Sequence, residues 1–362
     1  MKYLCPRDFR RGEMEEIMFY FSENNIRGNH AGTKARNDVE QILTEYGCRP
    51  INSKSYVLTS DDADNIRSNI NNRVQLAKYF LDLLKVKNEI VFIQYPMLSF
   101  DKDREYLTKI AKRNKLVFLI HDVHGLKRQN KIEIDREISL LNLADAVIVH
   151  NIFMENKLIE CGLSVKNIYR LNIFDYIYNG TEVPTHFNEH GIAFAGNLEK
   201  TGFFKQFCDS NKDTTLHLYG QKYDTSLDKY SNIEYCGNFR PDEITENIVG
   251  KYGLVWDGDS ISTCSGIFGE YTRFNNPHKL SLYIVSAMPV IVWEEAAIAE
   301  FVKNNNIGIA VSSLENIDKK LSDISEEDYK SMCKNVLKLR IDLTKGNRLK
   351  SVLKKIEEDL DR

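Results

Sequence analysis

The chain has 362 residues, 49 Lys and Arg against 52 Asp and Glu, a formal net charge of −3, and 42% apolar with 28% charged residues. That length suits two domains, the composition is that of a folded globular protein, and the charge balance offers no field for steering nucleic acid. No apolar run approaches the roughly 20 residues that span a bilayer, no basic block marks an anionic surface, and no charged-then-apolar leader opens the chain, so a cytoplasmic protein is expected. The seven cysteines (Cys5, Cys48, Cys161, Cys208, Cys236, Cys264, Cys333) are scattered. They read as reduced thiols, and without Cys and His clustered at short spacing no metal site is expected.

Strands are predicted at EIMFYF (16–21), EIVFIQY (89–95), KLVFLIH (115–121), DAVIVH (145–150) and KNIYRL (166–171). Helical spacing marks 34–46, 61–85, 101–113 and 131–142 between them. The strands are apolar at consecutive positions, as expected where helices cover both faces of a parallel sheet. Residues 172–190 are polar and aperiodic and read as an interdomain linker. A second series follows at 191–196, 215–220, 233–237, 252–257, 289–293 and 307–311, then helices at about 314–323, 326–341 and 346–361. The fold class is α/β: a first Rossmann-like, doubly wound domain (1–174), a second (175–345), and a terminal helix (346–362) available to cross back. Ligands bind such folds at the carboxyl ends of the strands.

Four segments carry candidate chemistry. In Asn275-Asn276-Pro277-His278-Lys279-Leu280, Asn276 suits an N-cap and Pro277 the first helical position. Lys279 then opposes the helix dipole, which makes sense where a bound anion is held by the ammonium and the free N–H groups together. Gly196 to Lys200 follows the first strand of the second domain, where glycine lets backbone approach a ligand. The loop Arg27 to Lys34, containing Thr33, lacks the spacing of a dinucleotide or P-loop motif. In Ile120-His121-Asp122-Val123-His124 a carboxylate beside imidazoles could deprotonate a hydroxyl. Asp257-Gly258-Asp259 looks like a metal-binding D-x-D but reads mainly as a strand-end turn.

The stretch K-L-S-L-Y-I-V-S-A-M-P-V-I (279–291) resembles the K-L-x-E-Y-M-A-x-G-x-P-V-I pattern of GT-B glycosyltransferases. F-A-G-N-L-E-K (194–200), the H-K-L box, L-A-D-A-V-I-V-H (143–150) and I-H-D-V (120–123) resemble the bacterial glucosyltransferase 3 and β-1,6-galactofuranosyltransferase family. The resemblance implies transfer of a glucosyl or galactofuranosyl group from a UDP-sugar substrate to a glycan, lipid-linked glycan or glycoprotein, with no metal or other cofactor. It places Lys200 and Lys279 at the diphosphate, Asn275 to Leu280 around the nucleotide, Tyr219 and Gly220 beside the base, Gly196 in the phosphate loop, and Thr33 reaching in from the first domain. Leu282 stands where many GT-B enzymes have a ribose-binding Glu. Asp122 or His124 is the expected base. Transient contact with the inner membrane and self-association are compatible with this reading. Two rivals remain open: a nucleotide-sugar epimerase, and a non-catalytic partner subunit that keeps the fold.

Overall fold

The computed structural model describes residues 18–22, 31–51, 81–82, 84–97, 103–180, 190–200 and 202–360. The first sheet holds β1 (Met18–Phe21), β2 (Arg49–Ile51), β3 (Ile90–Tyr95), β4 (Lys115–Ile120), β5 (Ala146–Val149) and β6 (Asn167–Arg170), in the order β2-β1-β3-β4-β5-β6. The second holds β7 (Ile192–Ala195), β8 (Leu216–Tyr219), β9 (Ile233–Gly237), β10 (Tyr252–Val255), β11 (Val290–Trp293) and β12 (Gly308–Val311), in the order β12-β11-β10-β7-β8-β9. Both are parallel throughout. All the predicted strands form. The sequence reading missed β2, whose Arg49-Pro50-Ile51 is short and interrupted by a proline that only an edge strand tolerates.

The helices are α1 (Ala31–Tyr46), α2 (Asp103–Ala111), α3 (His124–Arg128), α4 (Lys131–Leu141) and α5 (Ile152–Glu160) in the first half. The second half has α6 (Phe204–Ser210), α7 (Ile244–Asn247), α8 (Gly266–Tyr271), α9 (His278–Val285), α10 (Ile298–Asn305), α11 (Ile317–Ser322), α12 (Glu326–Thr344) and α13 (Asn347–Leu360). Most of the predicted helix 61–85 lies outside the described residues. Along β3, Val91, Ile93 and Tyr95 enter one core while Ile90 and Phe92 enter the other, which explains the unbroken apolar run. Leu349, Val352, Leu353, Ile356 and Leu360 recur at helical spacing, so α13 has one apolar face. That face packs with Val39, Ile42 and Leu43 of α1, against the first sheet.

The predicted linker is not a free connection in its first half. Ile173, Phe174, Asp175, Tyr176 and Ile177 are buried, while residues 181–189 lie outside the described set. Asp175 accepts N–H bonds from Arg348 (3.1 Å) and Leu349 (2.8 Å) at the start of α13. Ile177 gives its N–H to Asp38 (3.0 Å) and its carbonyl to Lys34 Nζ (2.7 Å), and Ser281 Oγ donates to the Phe174 carbonyl (2.7 Å). The segment is therefore bonded to α1, α9 and α13. Its polar average concealed four apolar side chains.

Candidate active site

The site forms where the carboxyl ends of the two sheets approach each other. The helix carrying the Asn-Pro-His-Lys motif starts one residue later than the sequence reading placed it. Pro277 (φ −63°, ψ 133°) is the N-cap and makes no side-chain cap, and Lys279 is the second residue of α9. The reason is that Asn276 is bonded elsewhere. Its Nδ2 donates to the carbonyls of His150 (2.9 Å) and Asn172 (2.8 Å), and its Oδ1 accepts from Asn151 Nδ2 (2.7 Å). Its backbone N–H donates to His150 Nδ1 (2.9 Å). Since His150 Nε2 meets the Ile120 carbonyl (2.9 Å), which only accepts, the ring must be the neutral Nε2–H tautomer. Burial pushes its pKa down to about 4. Asn276 is thus a clasp between the domains, and its side chain is not available to a nucleotide.

Lys279 Nζ lies 2.8 Å from Asp257 Oδ1 and 3.3 Å from the Trp256 carbonyl, and 4.7 Å above the Phe194 ring. An ammonium has three donors, so one N–H remains without a hydrogen-bond partner among the described residues. Asp257 begins a turn at the end of β10. Gly258 there has φ +114°, and a Cβ would meet the Ser265 carbonyl oxygen at 2.3 Å. Gly258 thus makes a turn at the strand end, and Asp257 on that turn is the counter-ion of Lys279.

Gly196 and Gly220 end β7 and β8 and face each other closely. A Cβ on Gly220 (φ +148°) would lie 1.8 Å from the Gly196 carbonyl oxygen, so only glycine fits. Tyr219 corrects the sequence reading. Its side chain is buried and its hydroxyl accepts the Val249 N–H (2.9 Å), so the ring braces the core and cannot flank a base. Leu280 is likewise fully buried in the core of the second domain. Lys200 ends a single 3-10 turn, Leu198–Lys200, and its side chain lies outside the described set. Asn275 donates its N–H to Tyr271 (3.1 Å), while its Oδ1 is buried with no partner among the described residues. His278 stacks on Tyr176 (centroids 5.1 Å apart) and bonds the Asp175 backbone, and its Nε2 is also unpartnered. Burial, then the Lys34 charge, push its pKa down to about 3.

On the first domain, Thr33 is buried in the first turn of α1, and residues 27–30 of its loop lie outside the described set. Asp122 sits 3.5 Å from Lys127 Nζ and interacts with the Tyr271 hydroxyl, which also accepts the Val123 N–H (2.9 Å). His124 opens α3, where Glu137 accepts the N–H groups of His124 (3.0 Å) and Gly125 (2.8 Å). The neighbouring His121 bonds Gln94 Oε1 (2.7 Å) and stacks on Phe174 (5.5 Å, 11°). Burial and the Arg36 charge hold it neutral, with a pKa well below the ordinary value. The sequence reading overlooked Gln94 and Arg36. A buried amide inside the apolar strand IVFIQY was the available signal for the first.

Residues 18–173 match the family description "Glucosyltransferase 3-like, N-terminal domain", and residues 192–356 match the corresponding C-terminal domain. The chain belongs to the glucosyltransferase 3-like family. Beta-1,6-galactofuranosyltransferase WbbI of Escherichia coli K12 is 30% identical to it over 95% of this chain and 99% of its own length. Glucosyltransferase 3 of Streptococcus gordonii is 26% identical over 91% and 94%. The fold matches sucrose-phosphate synthase from Thermosynechococcus elongatus (TM-score 0.57, 12% identity, 95% of this chain and 99% of the other). It also matches the lipopolysaccharide outer core galactosyltransferase WaaB (0.57, 12%, 94% and 99%). This glucosyltransferase 3-like chain is thus a GT-B glycosyltransferase, a hexosyltransferase by class. Among the described residues, no helix is long and apolar enough to cross a membrane.

Proposed function

We propose that the protein moves a glucosyl or galactofuranosyl group from a UDP-sugar to a hydroxyl of a glycan, lipid-linked glycan or glycoprotein, with no metal at the reacting diphosphate. The observation that carries this reading is Lys279. Its ammonium is held by Asp257 in the first turn of α9, with one N–H unpartnered among the described residues. The acceptor oxygen bonds to the anomeric carbon as the bond from that carbon to UDP breaks, and the acceptor proton passes to a base, for which Asp122 is favoured over His124. Negative charge growing on the diphosphate meets Lys279 and the N–H groups of His278 and Lys279 at the start of α9, while Gly196 and Gly220 leave room for its approach. Lys200 would add a second ammonium. The homologues' names support both sugars.

The test is thermal unfolding with UDP, GDP, ADP and CMP, each with and without EDTA, on wild type and Lys279→Ala. Ligand at about 100 times its dissociation constant stabilises by roughly 2.7 kcal/mol. A UDP-selective shift that survives EDTA and is lost in the variant is expected. Turnover assays with UDP-glucose and UDP-galactofuranose then choose the sugar. No shift with any nucleotide would point to a non-catalytic partner subunit, an EDTA-sensitive shift would return Asp257 and Asp259 to metal binding, and conversion of the UDP-sugar without acceptor would make the enzyme an epimerase.

A further inference from the structure

We propose that His217, Glu234 and Cys236, at the edge of the second sheet, form a binding site for one zinc-class divalent cation, separate from the diphosphate site. The sheet register brings the three together. His217 on β8 pairs with Glu234 on the edge strand β9, and Cys236 lies two residues further along the same strand. The register then slips, with Leu218 opposite Tyr235 but Tyr219 opposite Gly237, so Cys236 is the extra residue of a bulge. Such a bulge re-aims its side chain. The imidazole, carboxylate and thiol ligand atoms all lie within 4.8 Å of one another.

Hydrogen bonding at His217 argues for a cation. Its Nε2 lies 3.1 Å from the carbonyl of His190, which only accepts, so Nε2 carries the proton. The lone pair on Nδ1 then points at Glu234 Oε2, 3.1 Å away, with Cys236 Sγ at 4.0 Å. Two acceptors, Nδ1 and the carboxylate, face one point, and the Cys236 thiol, a weak donor 3.7 Å from the Glu234 carbonyl, joins them as a ligand when a cation displaces its proton. Zinc bonds of about 2.0–2.1 Å to nitrogen and 2.3 Å to sulfur set tetrahedral ligands roughly 3.3–3.6 Å apart. The separations of 3.1 and 4.0 Å bracket that range. A ligating histidine usually gives its other N–H to a carbonyl or carboxylate, as His217 does to His190. A mixed nitrogen, oxygen and sulfur set favours Zn²⁺ or Co²⁺ over Mg²⁺ or Ca²⁺. Glu234 is mostly exposed, which leaves solvent the fourth position. A bound cation would fasten β9 to β8, the strand that ends at Gly220.

The competing occupant is a proton on Nδ1, giving an imidazolium–carboxylate pair that needs no metal. Titrating chelator-washed full-length protein with Co²⁺ separates the two. One equivalent is expected to give a visible d–d spectrum and a near-ultraviolet thiolate-to-cobalt band, both displaced by Zn²⁺. Cys236→Ser should lose the thiolate band, and His217→Gln should weaken binding at least tenfold. Zn²⁺ should raise the unfolding temperature of wild type but of neither variant. Glu234→Gln, on an exposed side chain, serves as a further variant if His217→Gln fails to fold. The absence of a thiolate band in wild type, or its survival in Cys236→Ser, would overturn the proposal.

Discussion

Replacing Lys279 with alanine separates the electrostatic role of its ammonium from its contribution to stability. The pair with Asp257 is partly solvated, with side chains 15% and 28% exposed. An ion pair of that kind contributes about 0–1 kcal/mol. For a domain of this size, about 1 kcal/mol lowers the unfolding temperature by roughly 2–4 °C. Losing a donor preorganised toward charge that grows in the transition state costs about 3 kcal/mol, or roughly two to three orders of magnitude in turnover. The two effects therefore differ enough to be told apart in one protein. The assay is turnover at saturating UDP-sugar and acceptor, beside a thermal scan of the same preparation. Asp257→Asn keeps the ammonium but loosens its seat, so a smaller loss is expected. Turnover within threefold of wild type in Lys279→Ala, with the fold intact, would refute the assignment.

Asp122→Asn should lower turnover by about two to four orders of magnitude, as loss of a general base does; full activity would remove Asp122 from that role. Tyr219→Phe should cost about 1 kcal/mol of stability through the unpaired Val249 N–H and leave KM for the donor unchanged, and a tenfold rise in KM would restore the base-flanking reading. Asn276→Ala leaves the His150 and Asn172 carbonyls and the Asn151 amide short of a partner. A loss of about 3 kcal/mol in denaturant unfolding is expected, and a loss under 1 kcal/mol would sink the clasp. His150 has a folded pKa of about 4 against 6.5 for a free imidazole. Between those values the unfolded chain takes the proton and the folded chain does not. Its contribution is complete above pH 6.5 and falls away as pH drops toward 4, by about 3 kcal/mol. Imidazole ¹⁵N shifts at pH 5.5 should report the neutral Nε2–H form, and a doubly protonated ring there would contradict the geometry.

The strands were legible because a parallel sheet covered on both faces writes consecutive apolar residues, and a two-domain α/β architecture followed from their order. Helices such as α3 and α8 were not. Each spans only five or six residues, and α3 begins under the carboxylate of Glu137, twelve or thirteen positions downstream. The same division runs through the site. Gly196 and Lys279 could be singled out from local chemistry, since a glycine at a strand end and a cation in a first helical turn are anomalous for stability alone, whereas Gly220 came only with the family resemblance. Leu280 was read as lining the nucleotide, although Tyr283 and Ile284, three and four residues on, set the buried face of α9 on which it lies. Asn276 was not, since its partners lie 104 to 126 positions away. Neither was the His217–Cys236 pairing, which a bulge creates across 19 positions. The motif from Asn275 to Leu280 looks like one nucleotide-binding unit in sequence, yet its side chains part company in the fold. Asn276 joins the domains, His278 stacks on Tyr176 of the predicted linker, Lys279 meets Asp257, and Leu280 fills the core. Substitutions along these six consecutive positions should therefore yield separable losses of stability and of turnover, whereas a single ligand-binding strip would lose both together.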